Sequence, residues 1–247
     1  YFKDALLIIL LAFVCQPIMT FFSLISQFFF ENEIGNFMTE IVNSPYIILL
    51  LLVAVLPAIT EEITIRGVVL SGYKNKNIYL SSMITGLLFG IMHLDPQQFL
   101  YAAVLGVVLA LVVRITNTIF ASSLIHFLIN GTSITIQKVI SLFPQSDSVM
   151  EQASEISIKS LPIGEKLAMA GTYGVIALAF GIVAFFILKK LADLNIRRGI
   201  IDKEEMSVRY CNSDEKIFNI QFSFIIILYL IFMLRVPIIR FIISLIM

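Results

Sequence analysis

Two adjacent glutamates and an arginine lie inside an otherwise apolar segment. Glu61 and Glu62 are followed by Arg66, and the surrounding residues are apolar from Tyr46 to Leu70. Ionisable side chains in a membrane-length segment are energetically costly, so they indicate a functional site. On a helix, Glu62 can pair with Arg66 four residues later, while Glu61 is rotated by about 100° and points elsewhere. The spacing predicts one carboxylate fixed by arginine and a second one that acts as a general base. The alternative is that the three charges only mark the cytoplasmic end of a helix, which suits the arginine better than the two glutamates.

Each of the two histidines lies in an apolar segment of its own. His93 follows Phe89 by four residues and His126 precedes Asn130 by four, so each pair shares one face of a helix. Polar side chains in hydrocarbon need hydrogen-bond partners, and plain hydrogen bonding between helices is the alternative role for both histidines. Together, the spacings Glu-Glu-x-x-x-Arg, Phe-x-x-x-His and His-x-x-x-Asn are far more specific than any one of them.

The three motifs, in this order on three separate segments, resemble those of the CPBP family, also called the Abi or CAAX-protease family. Its members are intramembrane endopeptidases, and its eukaryotic Rce1-type relatives cleave prenylated CAAX proteins. The resemblance covers about residues 46–135 and includes the glycine after the motif arginine. It implies a glutamate-type peptidase in which Glu61 activates a water with His93, while His126 and Asn130 hydrogen-bond the developing oxyanion.

The resemblance also implies supporting roles for two further residues. Glu62 and Arg66 would position the site or hold the backbone or terminus of the substrate. The helix face that Phe89 shares with His93 predicts an aromatic wall beside this histidine. A phenylalanine is common just before the motif arginine in this family, where this chain has Ile65.

A zinc site is an alternative for the same residues. Two histidines and a glutamate are a plausible set of catalytic ligands, here Glu61, His93 and His126, with the second glutamate as base. The chain has no His-Glu-x-x-His spacing, and Asn130 beside the second histidine suits an oxyanion donor better than support for a metal ligand. A mechanism without a cofactor is therefore favoured.

The composition excludes an ordinary soluble domain. The 247 residues are 59% hydrophobic and 14% charged, with a mean hydropathy of +0.96, whereas soluble domains average about 45–50% apolar and about 25% charged residues. The net charge is zero, so nothing indicates nucleic acid as a partner. Cys15 and Cys211 provide neither a disulfide framework nor a metal motif. We expect one membrane domain over residues 1–247, with membrane lipids around it.

Seven apolar segments, within a range of six to eight, predict an all-α polytopic helical bundle. The last one is interrupted by Arg235, Pro237 and Arg240, so it spans the membrane with snorkelling arginines or ends early and lies along the interface. The segments cover residues 5–30, 46–70, 78–94, 97–114, 117–142, 167–188 and 218–247.

Lysine and arginine are unevenly divided between alternate loops. The loops at 66–77, 114–117 and 189–217 contain eleven of them, and those at 31–45, 94–97 and 138–166 contain three. By the positive-inside rule the first set is cytoplasmic, which places the N-terminus inside.

Glu61, His93 and His126 are predicted to lie at different depths in the membrane. At about 1.5 Å per residue, Glu61 lies roughly 6 Å, His126 roughly 14 Å and His93 roughly 22 Å from the cytoplasmic edge. Convergence therefore requires the second span to start later than Tyr46, or the third helix to start deeper or tilt. We expect the residues to meet in the cytoplasmic half of the bilayer.

The leading functional hypothesis is hydrolysis of a peptide bond in a peptide or in a lipid-anchored or membrane-associated protein. A proton-coupled transporter could use the same buried residues, but the sequence has no inverted repeat or matching pair of broken helices. A non-catalytic membrane scaffold or immunity protein would be favoured if Glu61 or either histidine had been replaced, and none is. Frequent isoleucine, lysine and asparagine are compatible with a bacterial cell membrane, where maturation of a peptide is a better guess than prenylated CAAX substrates.

Overall fold

The computed structural model describes residues 1–143, 158–206, 220 and 222–232, and within these ranges the chain is helical without any strand. The predicted all-α fold class is confirmed. A short 3₁₀ turn, Ile158–Ser160, precedes the seventh helix. The helices are α1 (Phe2–Gln27), α2 (Glu33–Ile41), α3 (Tyr46–Tyr73), α4 (Ile78–Met92), α5 (Pro96–Thr116), α6 (Ile119–Ser141), α7 (Ile163–Arg197) and α8 (Phe222–Phe232).

Five of these helices, α1, α3, α5, α6 and α7, are long and apolar enough to cross a membrane. They correspond to five of the seven predicted segments. The segment predicted at 78–94 forms α4, which has 15 residues and a length of about 22 Å, short of the roughly 30 Å hydrocarbon core. Of the segment predicted at 218–247, the described residues form only the short apolar α8, and its three interrupting residues lie outside the described ranges.

The predicted loop at 31–45 contains a helix, α2, that the hydropathy reading missed. Asn32 caps it, since its side-chain oxygen accepts a hydrogen bond of 3.0 Å from the backbone N–H of Gly35. Met38 is buried on the inner face of α2 and packs against Leu49 of α3 and Ile134 of α6. The helix is amphipathic and lies against the bundle.

Helix α3 is one continuous run with irregular winding. It contains π-helical segments at Leu50–Val55 and Ile63–Val69 and ends in a 3₁₀ turn. Such π segments are frequent at functional sites. Between them, Pro57 has no N–H to donate to the carbonyl of Val53, four residues earlier. The side-chain amide of Asn130 on α6 donates to that carbonyl instead, at 3.0 Å, which ties α6 to α3.

Helices α4 and α5 form a tightly packed hairpin. A Cβ atom on Gly86 would lie 2.5 Å from a methyl carbon of Val107, and one on Gly106 would lie 2.8 Å from the Cα of Gly86. Gly90 sits one turn further along α4, where a Cβ would meet the carbonyl oxygen of Phe99 at 2.6 Å. Small residues of this kind allow helix backbones to approach closely. The hairpin therefore fixes the Phe-x-x-x-His motif against α5.

The end of the bundle that carries the N-terminus is held together by ion pairs and hydrogen bonds. Asp4 of α1 accepts a hydrogen bond of 2.6 Å from Arg198, which follows α7. Arg114, near the end of α5, donates to the carbonyl of Tyr73 at 3.1 Å. Helix α7 continues to Arg197, so Lys189, Lys190 and Arg197, predicted in a loop, lie on a helix. The loop prediction was wrong there because charged residues extend the apolar helix beyond its hydrophobic part.

Candidate active site

Glu62 and Arg66 form a fully buried ion pair on α3. The guanidinium Nη1 lies 2.9 Å from the Oε1 of Glu62, and neither side chain is exposed. Nη2 donates to the backbone carbonyl of Gly106 at 3.1 Å, and the guanidinium lies 4.3 Å from the ring centre of Phe89. The pairing that the four-residue spacing predicts is confirmed. Arg66 is therefore buried, with its guanidinium in contact with α4 and α5.

His126 connects this ion pair to the neighbouring glutamate. Its Nδ1 lies 3.0 Å from the Oε1 of Glu62, and its Nε2 lies 3.9 Å from the Oε2 of Glu61. We assign a hydrogen to Nδ1, because the atom it faces is a carboxylate oxygen. The ring is 3% exposed and is thus oriented by a buried carboxylate, with Nε2 directed toward Glu61.

Glu61 is the more exposed of the two adjacent glutamates. Its side chain is 26% exposed, whereas that of Glu62 is not exposed at all. The Oε2 atom of Glu61 is buried and accepts no hydrogen bond from the described part of the chain. The predicted rotation between the two side chains is confirmed, and Glu61 lines a cavity.

His93 faces the same cavity from the end of α4. Its Nδ1 lies 2.8 Å from the carbonyl oxygen of Phe89, one turn earlier, so we assign the ring hydrogen to Nδ1, and Nε2 is the nitrogen available to a molecule in the cavity. The Phe89 ring packs edge-on against His93 and His126, with centre distances of 5.0 and 5.8 Å. It is the predicted aromatic wall, shared by the two histidines.

The depth of Glu61 differs from the prediction because α3 is longer than predicted. This helix continues to Tyr73, so Glu61 lies twelve residues before its end, which at 1.5 Å per residue is about 18 Å. A later start of the second span is not used, because α3 begins at Tyr46.

Asn130 lines the cavity but is also a structural residue. One hydrogen of its amide is donated to the Val53 carbonyl. The amide nitrogen carries a second hydrogen, which is the one left for a molecule in the cavity.

The cavity has a volume of about 610 Å³ and a mixed lining of apolar and polar side chains, with Glu61 as the one carboxylate among the described residues that line it. The sequence reading missed Gln97 there. This side chain is 1% exposed, its nitrogen donates to Ser23 of α1 at 2.9 Å, and its oxygen has no hydrogen-bond partner among the described residues. Asp95 caps α5 by accepting from the N–H of Gln97 at 2.9 Å. An Asp-Pro pair before an apolar run is a helix-start signal that predicts this cap.

Among the described residues, no three His, Cys, Asp or Glu side chains are grouped so that they could hold a metal ion. As placed, Glu61, His93 and His126 line one cavity without forming such a group.

Comparison with known proteins agrees with the motifs. Residues 43–132 match the family described as type II CAAX prenyl endopeptidase Rce1-like. The chain contains an Rce1-like domain. No curated protein and no solved structure matches the chain. The Rce1-like domain extends from just before α3 into α6 and contains every motif residue, so the resemblance predicted for about 46–135 is confirmed.

The family that residues 43–132 match is one of CAAX-type endopeptidases, and members of that family act on membrane-associated proteins. With five apolar helices of membrane-spanning length, the chain is an integral membrane protein. Helices α1, α2 and α7, which complete the cavity lining, lie outside the Rce1-like domain.

Proposed function

We propose that the protein is an intramembrane endopeptidase of the glutamate type, in which Glu61 is the general base. This proposal rests on a chain of contacts that runs from Arg66 through Glu62 and His126 to Glu61, which lines the cavity. Buried charge is costly unless it is compensated, and here the buried ion pair orients His126 toward the partly exposed Glu61. A purely structural ion pair would need neither His126 nor Glu61.

In the proposed reaction, a water molecule lies between Glu61 and His93. Glu61 removes a proton as the water oxygen bonds to the scissile carbonyl carbon, and the carbonyl oxygen becomes an oxyanion. The C–N bond then breaks, and the proton held by Glu61 passes to the leaving amine. This balances the hydrolysis without a cofactor. General-base catalysis of this kind contributes about 10²–10⁴-fold to the rate.

His126 and the second amide hydrogen of Asn130 are the proposed oxyanion donors. With Nδ1–H directed at Glu62, His126 donates through Nε2 only when it carries both protons. Glu62 and Glu61 together balance the positive charges of Arg66 and of the doubly protonated His126. Fixed donors in a site that excludes bulk water stabilise an oxyanion strongly. The substrate is a peptide or a membrane-associated protein, and zinc hydrolysis by the same residues is the alternative that chelation tests.

The test is cleavage of a quenched fluorescent peptide library by the purified protein in detergent micelles. We expect Glu61→Gln to lower kcat/KM by about 10²–10⁴-fold, with His93→Ala and His126→Ala also losing cleavage. Glu40→Gln is the matched control, because Glu40 is an exposed carboxylate on α2, and it should cleave like the wild type.

Each assay is repeated with a strong zinc chelator. Cleavage that survives chelation supports the proposed mechanism, and loss that zinc restores favours the metalloenzyme. If the wild type cleaves nothing in the library, a non-catalytic scaffold or a proton-coupled transporter gains support. If Glu61→Gln cleaves as fast as the wild type, Glu61 is not the base.

A further inference from the structure

The cavity reaches one particular end of the bundle. Its lining comes from the C-terminal half of α1, from α2, from the N-terminal half of α5, from the C-terminal half of α6 and from the N-terminal half of α7. Gln27 is the last residue of α1, Gln137 lies four residues before the end of α6, and Ile158 precedes α7. Since neighbouring helices alternate in direction, all these segments lie at the end opposite the N-terminus.

Glu61 and His126 form the inner end of this cavity. His126 is seven residues from the start of α6 and fifteen from its end, which at 1.5 Å per residue is about 10 Å and about 22 Å. The two side chains therefore lie deep in the bundle. The cavity leads from them away from the N-terminal end, toward the loops that flank α2.

Basic residues are concentrated at the opposite end, where the N-terminus lies. Among the described residues, that end includes the loop before α4 and the end of α7, joined by the contacts of Arg114 and Arg198. Its lysines and arginines are Lys3, Lys74, Lys76, Arg114, Lys189, Lys190, Arg197, Arg198 and Lys203.

The cavity end has fewer basic residues, and the structure shows them occupied in local contacts. Lys138 donates to the carbonyls of Val42 and Ser44 at 2.8 and 3.1 Å. Lys159 lies 3.5 Å from the carboxylate of Glu31. Lys166 donates to the carbonyl of Lys159 at 2.6 Å. Acidic residues accompany them: Glu31, Glu33, Glu40, Asp95 and Glu165.

We propose that the cavity opens on the extracytoplasmic side of the membrane, so that the substrate is a peptide segment presented from that side. Excess lysine and arginine in short loops marks the cytoplasmic face, and the cavity leads to the other face. The chemistry assigned to the substrate rests on the proposed function, whereas the side of access does not. Water and peptide reach Glu61 from outside, past an opening whose mixed lining includes the amide and hydroxyl side chains of Gln27, Gln137 and Tyr173, groups that hydrogen-bond peptide backbone.

The test is labelling of single cysteines in intact cells with a membrane-impermeant maleimide. The background is Cys211→Ser, and the buried Cys15 is kept. Asn43→Cys and Asn75→Cys are a matched pair, since both asparagines are exposed and lie in short loops at opposite ends of the bundle. Ser133→Cys is the cavity probe, because this serine is exposed to the cavity.

We expect Asn43→Cys and Ser133→Cys to be labelled completely in intact cells, and Asn75→Cys only after permeabilisation. Labelling of Asn75→Cys but not of Asn43→Cys in intact cells would overturn the proposal by reversing the topology. It is equally overturned if Ser133→Cys reacts only after permeabilisation, or from neither side.

A second measurement separates this inference from the proposed function. Quenched fluorescent peptides that do not cross the membrane are added to intact cells expressing the wild type or Glu61→Gln. Cleavage by the wild type alone supports both proposals. The expected labelling without any cleavage would leave the side of access standing and count against the peptidase. Cleavage only after permeabilisation would contradict the side of access.

Discussion

Arg66 and Arg114 bind backbone carbonyls of neighbouring helices in two different regions of the molecule. Arg66 lies within a membrane-spanning helix, where it contacts Glu62 and the carbonyl of Gly106. Arg114 lies at the end of α5, where it donates to the carbonyl of Tyr73 and lies 3.9 Å from a carboxylate oxygen of Glu205. Each guanidinium donates a hydrogen bond to a backbone carbonyl and lies close to a carboxylate.

The two arginines differ in the further contacts that their partner residues make. Glu62, the partner of Arg66, also orients His126 against the cavity. Arg114, on α5, donates to Tyr73 at the end of α3, to Lys76 in the loop before α4 and to Ser81 in the first turn of α4. These contacts fix the loop between α3 and α4. The same chemical group thus supports a reactive site in one region and a fixed loop arrangement in the other.

The largest effect in this comparison is expected for Arg66→Met. The substitution leaves the Glu62 carboxylate buried without its partner, which costs about 3–5 kcal/mol in the free energy of unfolding. Titration with a denaturing detergent in mixed micelles measures this loss. The double variant Glu62→Gln with Arg66→Met is the control, and it should recover part of the stability. Equal stability of the single variant and the wild type would show that the pair does not support the fold.

Arg114→Met should have a smaller effect of a different kind. Loss of hydrogen bonds from a charged donor costs about 1.5–3 kcal/mol, and the same titration measures it. Because these contacts lead away from the cavity, kcat/KM per folded molecule should equal that of the wild type. A loss of kcat/KM per folded molecule in Arg114→Met would break the distinction between the two regions.

The smallest effect is expected at Asn130, whose uncharged amide donates to the backbone carbonyl of Val53. Asn130→Ala removes the hydrogen bond to Val53, and Pro57→Ala supplies a backbone N–H that can replace it. The two substitutions should therefore couple by about 0.5–1.5 kcal/mol in unfolding free energy. A double-mutant cycle measures this coupling, with Pro57→Ala and Ser133→Ala as the control cycle. Strict additivity would show that the missing proline N–H does not explain the contact.

Much of the site could be predicted from side-chain spacing, because helical periodicity fixes which residues share a face. Glu62 with Arg66, and Glu61 apart from them, follow from one helix alone. The line from Glu62 to His126 joins residues 64 positions apart, and helical periodicity does not determine that contact. The family resemblance placed the residues together, while their hydrogen bonds depend on how α3 and α6 pack.

The structural features that the sequence did not predict have local causes. Helix α2 is short and amphipathic, so its mean hydropathy does not reveal it, although Asn32 is a recognisable cap. The irregular winding of α3 depends on contacts with other helices, such as Asn130 on Val53. Arg114 was interpreted only as a topology charge, and its role in joining loops required their folded positions. The predicted span at 78–94 forms a helix of only 15 residues, Ile78–Met92, because Asp95 and Pro96 already begin α5.

The cavity is bounded by two parts of the chain. The proposed reacting residues lie on α3, α4 and α6, inside the region that matches the family. The facing wall, with Thr20, Ser23 and Tyr173, comes from α1 and α7 outside that region. For the proposed peptidase, substitutions in this wall would change which peptides are accepted and leave the reacting residues in place. Exchanging α1 and α7 between two such proteins would then be a direct route to new peptide preferences.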